Sequence, residues 1–122
     1  MIYPFFQGQS DTTYAPIIKK AQFLHKEIME TMPLHETELM QMLGDRFENA
    51  IAESDILYLY VYECIESDQE VSLKEMRRWL ELLHLIATTM VKFRQDHPEH
   101  FPKPWYDQYN LPRLQELREA LK

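Results

Sequence analysis

Apolar residues recur at three-four spacing along most of this chain, and the spacing predicts helices. Ile17, Ala21, Leu24 and Ile28 share one face, with Ile18, His25, Met29 and Met32 beside them; this stripe predicts a first helix from about Thr13 to the residue before Pro33. Pro16 falls in its first turn, where a missing amide costs nothing. Leu39, Leu43, Phe47, Ala50, Ser54, Leu57, Val61 and Ile65 hold a second face, predicting a helical region from about Leu34 to Ile65. Gly44 lies inside it and, at about 1 kcal/mol against alanine, marks a bend or break. The run Ile56 to Tyr62, taken alone, alternates aliphatic residues and tyrosines as a strand does. It continues the helical stripe with no turn signal before it, so the helix is the expected state.

Ser72-Leu73-Lys74-Glu75 has the form of a capping box, in which Ser72 accepts from the Glu75 amide and Glu75 reaches back to the cap. A third helix starts there. Leu73, Met76, Trp79, Leu80, Leu83, Ala87, Met90 and Val91 line its inner arc, Leu82, Ile86 and Phe93 widen it, and Pro98 stops it near His97. An arc that wide predicts contact with two neighbouring helices. From Pro98 to Tyr109 the chain is rich in proline and aromatics, as is the stretch holding Tyr3, Phe5 and Phe6. Both are expected to be irregular segments packed on the helices. Asn110 is placed to cap a short last helix with Leu114, Leu117 and Leu121 inward.

The expected fold is therefore all-α, an antiparallel helical bundle of three long helices plus a short C-terminal helix, with aromatic and Pro-rich irregular terminal segments. The 122 residues suit one helical domain spanning 1–122. Only two glycines and as many as seven methionines disfavour a turn-rich β fold and suit a helical core or an adaptable surface. No stretch reaches the roughly 18 to 20 apolar residues of a spanning helix. The opening Met1-Ile2-Tyr3-Pro4-Phe5-Phe6 lacks the basic leader of a secretion signal. Cys64 is the one cysteine, so no internal disulfide is expected and a cytoplasmic location is the default.

Charge sharpens this picture. Ten acids (Glu36, Glu38, Asp45, Glu48, Glu53, Asp55, Glu63, Glu66, Asp68 and Glu70) and one base, Arg46, fall between residues 36 and 70, leaving ten acids against twelve bases elsewhere. The net charge of −7 thus belongs to one element. At about 100° per residue, Asp45, Glu48, Ala52, Asp55, Ile56, Leu59, Glu63 and Glu66 fall opposite the core stripe, with Tyr60 and Tyr62 on its flanks. An apolar and aromatic centre inside a charged rim is the makeup of a protein interface. The function expected is a non-catalytic adaptor or inhibitor that uses these residues to bind a partner with a basic surface. Nucleic acid and membrane are disfavoured as direct partners because phosphate is repelled. The same apolar residues could instead form the seam of a structural homodimer, lie covered within the monomer, or face water as an ordinary solvated surface. A small-molecule sensor would need a pocket among the helices.

Sites for chemistry are sparse. Arg77 and His84 lie two turns apart on the third helix, with Glu81 and Thr88 beside them. An arginine and a histidine at such spacing resemble the HEPN ribonucleases, small all-α proteins, and the resemblance implies a pair that attacks and stabilises a phosphodiester. It covers Arg77 and His84 alone; Arg78 points about 120° away from His84. The polar residue that usually follows the family's arginine is replaced here by Arg78. Glu81 and His84 also form one Glu-x-x-His pair, whereas a di-iron bundle needs two such pairs and two further glutamates, so neither metal nor other cofactor is expected there. His97, Glu99 and His100 cluster at a helix end, a common chance pattern. His25, on the shoulder of its stripe, reads as a satisfied core-edge histidine. Cys64 reads as a small core residue whose thiol is held protonated.

Overall fold

The computed structural model describes residues 5–7, 15–30, 41–97 and 107–121. In chain order the elements are β1 (Phe5–Gln7), α1 (Ala15–Glu30), α2 (Asp45–Glu66), β2 (Glu70–Ser72), α3 (Leu73–Asp96) and α4 (Asp107–Ala120). The described part is mostly helical, as the three-four spacing requires.

Gly44 breaks the second helical region. Residues 41–43 are helical, α2 begins afresh at Asp45, and Gly44 between them has φ 84° and ψ 173°. That conformation is open to glycine and strained for any residue with a Cβ. The core face nevertheless stays in phase within α2, where Phe47, Ala50, Ser54, Leu57, Val61 and Cys64 are buried. Leu39 and the predicted start at Leu34 lie outside the described residues, as does the predicted end of the first helix.

α2 closes on backbone bonds from Ser67 to Glu63 and from Gln69 to Cys64, and Asp68 turns the chain with φ 56°. The chain then extends into β2. The all-α class stands, and one short ribbon is added to it where an irregular N-terminal segment was expected: β1 pairs antiparallel with β2 in the register Phe5 to Ser72, Phe6 to Val71 and Gln7 to Glu70. Three residues of each strand give too short an alternation to stand out in the sequence, and their pairing spans more than sixty positions. Val71 is fully buried, which ties this ribbon to the core.

Ser72 caps α3 as its sequence suggests, its hydroxyl accepting from the Glu75 amide at 3.4 Å. The other half of the capping box is replaced. The Ser72 amide donates to the Tyr60 hydroxyl at 3.0 Å, so a side chain from α2 satisfies the group that Glu75 was expected to reach. This contact, with the Glu53–Arg78 pair, matches later residues of α2 to earlier ones of α3. The two helices run antiparallel. α4 packs along α3, where the Arg77 Nε donates to the Leu121 carbonyl at 2.6 Å and the charge of Arg118 is felt by His84.

The core is centred on α3, whose Met76, Trp79, Leu80, Leu83 and Ile86 are fully buried, with Ile18 and Ile28 of α1, Val61 of α2 and Leu114 of α4 packed into the same cluster. Two polar positions depart from the sequence reading. Arg94 is buried on the inner side of α3, and burial pulls its guanidinium down to about 10. Asn110 is no cap: α4 starts at Asp107, and Asn110 lies fully buried inside it. Its amide has no hydrogen-bond partner among the described residues. Pro112 also sits inside α4, giving no amide to the carbonyl one turn back.

Candidate interaction face on the second helix

The outward side of α2 is built by the same periodicity that builds the core. Ile56 is 65% exposed, Leu59 55% and Tyr62 47%, with Asp45, Glu48, Ala52, Asp55, Glu63 and Glu66 also on the surface. Exposure thus matches the wheel for every residue of the predicted face except one. Tyr60 is half-buried and points its hydroxyl at the start of α3, about 70° round the helix from the midpoint of Ile56 and Leu59. It belongs to the packing between α2 and β2, and is removed from the surface set.

The carboxylates of α2 divide by direction. Glu53 faces α3 and is held by a fork from Arg78, with Nε to Oε2 at 2.7 Å and the second arm to Oε1 at 2.9 Å. That fork keeps the Glu53 carboxyl below the usual glutamate range. The outward carboxylates of Asp45, Glu48, Glu63 and Glu66 meet no cation and no hydrogen-bond donor among the described residues. An apolar centre therefore lies in a field of uncompensated negative charge.

Asp55 is the exception on that face. Its carboxylate is 54% exposed, yet Oδ1 lies 3.1 Å from Nε2 of His25, which is buried. The other ring nitrogen, Nδ1, accepts from the Trp79 indole N–H at 3.1 Å. Indole is only a donor, so Nδ1 carries no proton and the hydrogen of the neutral ring sits on Nε2, where it is donated to Asp55. Burial lowers the imidazole's pKa, outweighing the opposite pull of Asp55. Tyr58 stacks on the ring with centroids 4.5 Å apart and planes 15° from parallel. With both nitrogens engaged, His25 has no lone pair left to ligate a metal or take a proton from a substrate. Its work is to position Asp55. The sequence placed His25 correctly at the core edge, but its partners lie 30 and 54 residues away, and periodicity carries no information about such pairs.

Grooves flank α2 on both sides. Toward α1, an open groove of ≈ 520 Å³ is lined by His25, Lys26, Met29, Glu30, Asp55, Tyr58 and Leu59. Toward α3 and α4, one of ≈ 600 Å³ includes Arg46, Arg78 and Arg118 against Glu53 and Glu81. With His25 neutral, the first carries an excess of one negative charge and the second of one positive charge.

The remaining candidate groups lie on α2, on α3 or at the end of α3. Arg77 spends its Nε on the carbonyl of Leu121, just past the C-terminus of α4, a favourable place for a cation. His84 is half-buried, its pKa lowered by burial and then by Arg118. Glu81 lies 3.9 Å from Arg78. Among the described residues no three His, Cys, Asp or Glu side chains are grouped to hold an ion; Glu99 and His100 lie outside them. His97 caps α3, its ring against Phe93 and its amide bonded to the Phe93 carbonyl. Burial raises the Cys64 thiol above its ordinary value, in keeping with a core residue. No described helix is long and apolar enough to cross a membrane.

No family model, no curated protein and no solved structure matches this chain.

Proposed function

We propose that this protein is a non-catalytic interaction module, an adaptor or inhibitor, which binds a basic protein surface through the outward face of α2. Its helices act as one antiparallel bundle of three long members and a shorter fourth, a rigid support for that face. The observation that supports the reading is the exposure of Ile56, Leu59 and Tyr62 amid carboxylates that have no cation of their own. Exposed apolar side chains supply the desolvation energy of a contact, and unpaired charge around them selects and steers the partner. Asp45, Glu48, Asp55, Glu63 and Glu66 form the rim, and Ile56, Leu59 and Tyr62 the centre. The experiment is affinity capture with the wild-type protein and with Glu48→Lys, Glu63→Lys and Glu66→Lys combined. Basic proteins retained by the wild type, released by salt and lost in the variant support the reading. Retention by a variant that keeps its helical circular dichroism overturns it.

The same exposed centre supports a second reading, a homodimer seam. A dimer held by Ile56 and Leu59 would persist in high salt, whereas an electrostatically selected complex weakens as salt rises. Sedimentation at two ionic strengths separates them.

A further inference from the structure

The groove between α1 and α2 points to one feature of the basic partner. We propose that it is a receptor for a single arginine side chain, a proposal that rests on the acidic-face reading and names the anchor of the complex. A guanidinium is flat, carries donors in a fork, and rides on an apolar stem, so a site for it needs a carboxylate fixed in place, an aromatic face and apolar walls.

Each of these is present. Asp55 is held through Oδ1 by His25, and His25 is fixed in turn by Trp79, so the second carboxylate oxygen is presented from a rigid base. Little side-chain entropy is left to lose on binding, which separates Asp55 from the free glutamates of the rim. Tyr58, stacked on His25 by one face, lines the groove and offers a ring for a cation to lie against. Met29 and Leu59 form apolar walls, and Glu30 brings a second carboxylate. Lys26 also lines the groove, leaving a net charge of −1 that a single added cation neutralises. The groove's ≈ 520 Å³ falls within the range of small-ligand sites, roughly 300–1,000 Å³. Lysine could reach the same carboxylate, but its ammonium has neither the plane that stacks on Tyr58 nor the two-armed fork. Arginine is therefore preferred.

The test is a nuclear magnetic resonance titration of the full chain with acetyl-arginine amide, and with the lysine and citrulline analogues at constant ionic strength. The indole N–H signal of Trp79 is the reporter, since it is bonded to the ring that holds Asp55. Saturable shifts with the arginine probe, weaker ones with lysine and none with citrulline are expected. Asp55→Asn keeps an acceptor for His25 and removes the charge, and should weaken the arginine probe at least about fivefold with the Trp79 signal still present. Equal binding of citrulline, an unchanged affinity in the Asp55→Asn protein, or no saturable shift with arginine overturns the proposal. Failure here is distinct from failure of the acidic face. If arginine does not bind while the triple lysine variant still loses its partner, the face stands and the anchor falls. If arginine binds while capture survives charge reversal, the groove stands as an arginine site without that face.

Discussion

Trp79 donates its indole hydrogen to Nδ1 of His25 across 3.1 Å, and this one bond dictates the tautomer of a histidine that in turn holds Asp55 at the surface. A core residue of α3 thereby positions a charged residue on the outward face of α2, with α1 as the relay. Replacing Trp79 by Phe keeps an aromatic ring and removes the donor. We expect a loss of about 1–3 kcal/mol for the acceptor left buried, added to the cost of the missing ring volume. With Nδ1 free to take a proton, the pKa of His25 should rise. Urea denaturation measures the first effect, and a histidine titration followed by nuclear magnetic resonance measures the second; an unchanged titration would show that the indole bond does not set the tautomer.

Stability should depend on pH in the range where histidine ordinarily titrates. His25 and His84 both have pKa values lowered from 6.5, chiefly by burial. As pH falls through that value, the unfolded chain takes up protons that the folded chain still refuses, so folding loses free energy on the acid side. Above it, both states carry neutral rings and nothing further is gained. Thermal unfolding should give a melting temperature level above the ordinary histidine value and falling below it. The fall should be shallower in a His25→Gln protein, and an identical slope would leave His25 without a part in it.

Gly44 tests the joint before α2. A Cβ built there meets no atom within 4 Å, so crowding is not the obstacle. The backbone is, with φ at 84° and ψ at 173°, and Gly44→Ala should cost about 1–3 kcal/mol. An alanine variant as stable as the wild type would mean that the chain can pass this point in another conformation.

Tyr60 tests the residue moved from the surface to the packing. Its hydroxyl accepts the Ser72 amide at 3.0 Å, at the point where β2 becomes α3. Tyr60→Phe should destabilise by about 1 kcal/mol, the worth of one such bond, and leave partner capture unchanged. Loss of capture with unchanged stability would return Tyr60 to the interface.

The rim carboxylates should behave in the opposite way. Glu48, Glu63 and Glu66 contact no cation among the described residues, so reversing their charge removes no native bond. Each change should alter stability by no more than about 0.5 kcal/mol. Denaturation of the triple lysine variant checks this, and a large loss would show that these side chains support the fold.

By itself the sequence determined the helices and their two-sided character, since a period near 3.6 written in Leu57, Val61, Trp79 and Leu83 puts one face into the core and another outside whatever the neighbours are. The exposed centre at Ile56 and Leu59 was legible for the same reason. Tertiary structure alone decided the rest: that β1 finds β2, that Tyr60 supplies the bond expected of Glu75, that Asn110 is buried within a helix it was expected to begin, and that His25 joins Asp55 to Trp79. Each of these depends on residues far apart in the chain being brought within hydrogen-bonding reach. Periodicity says which way a side chain faces, and it is silent about what stands opposite.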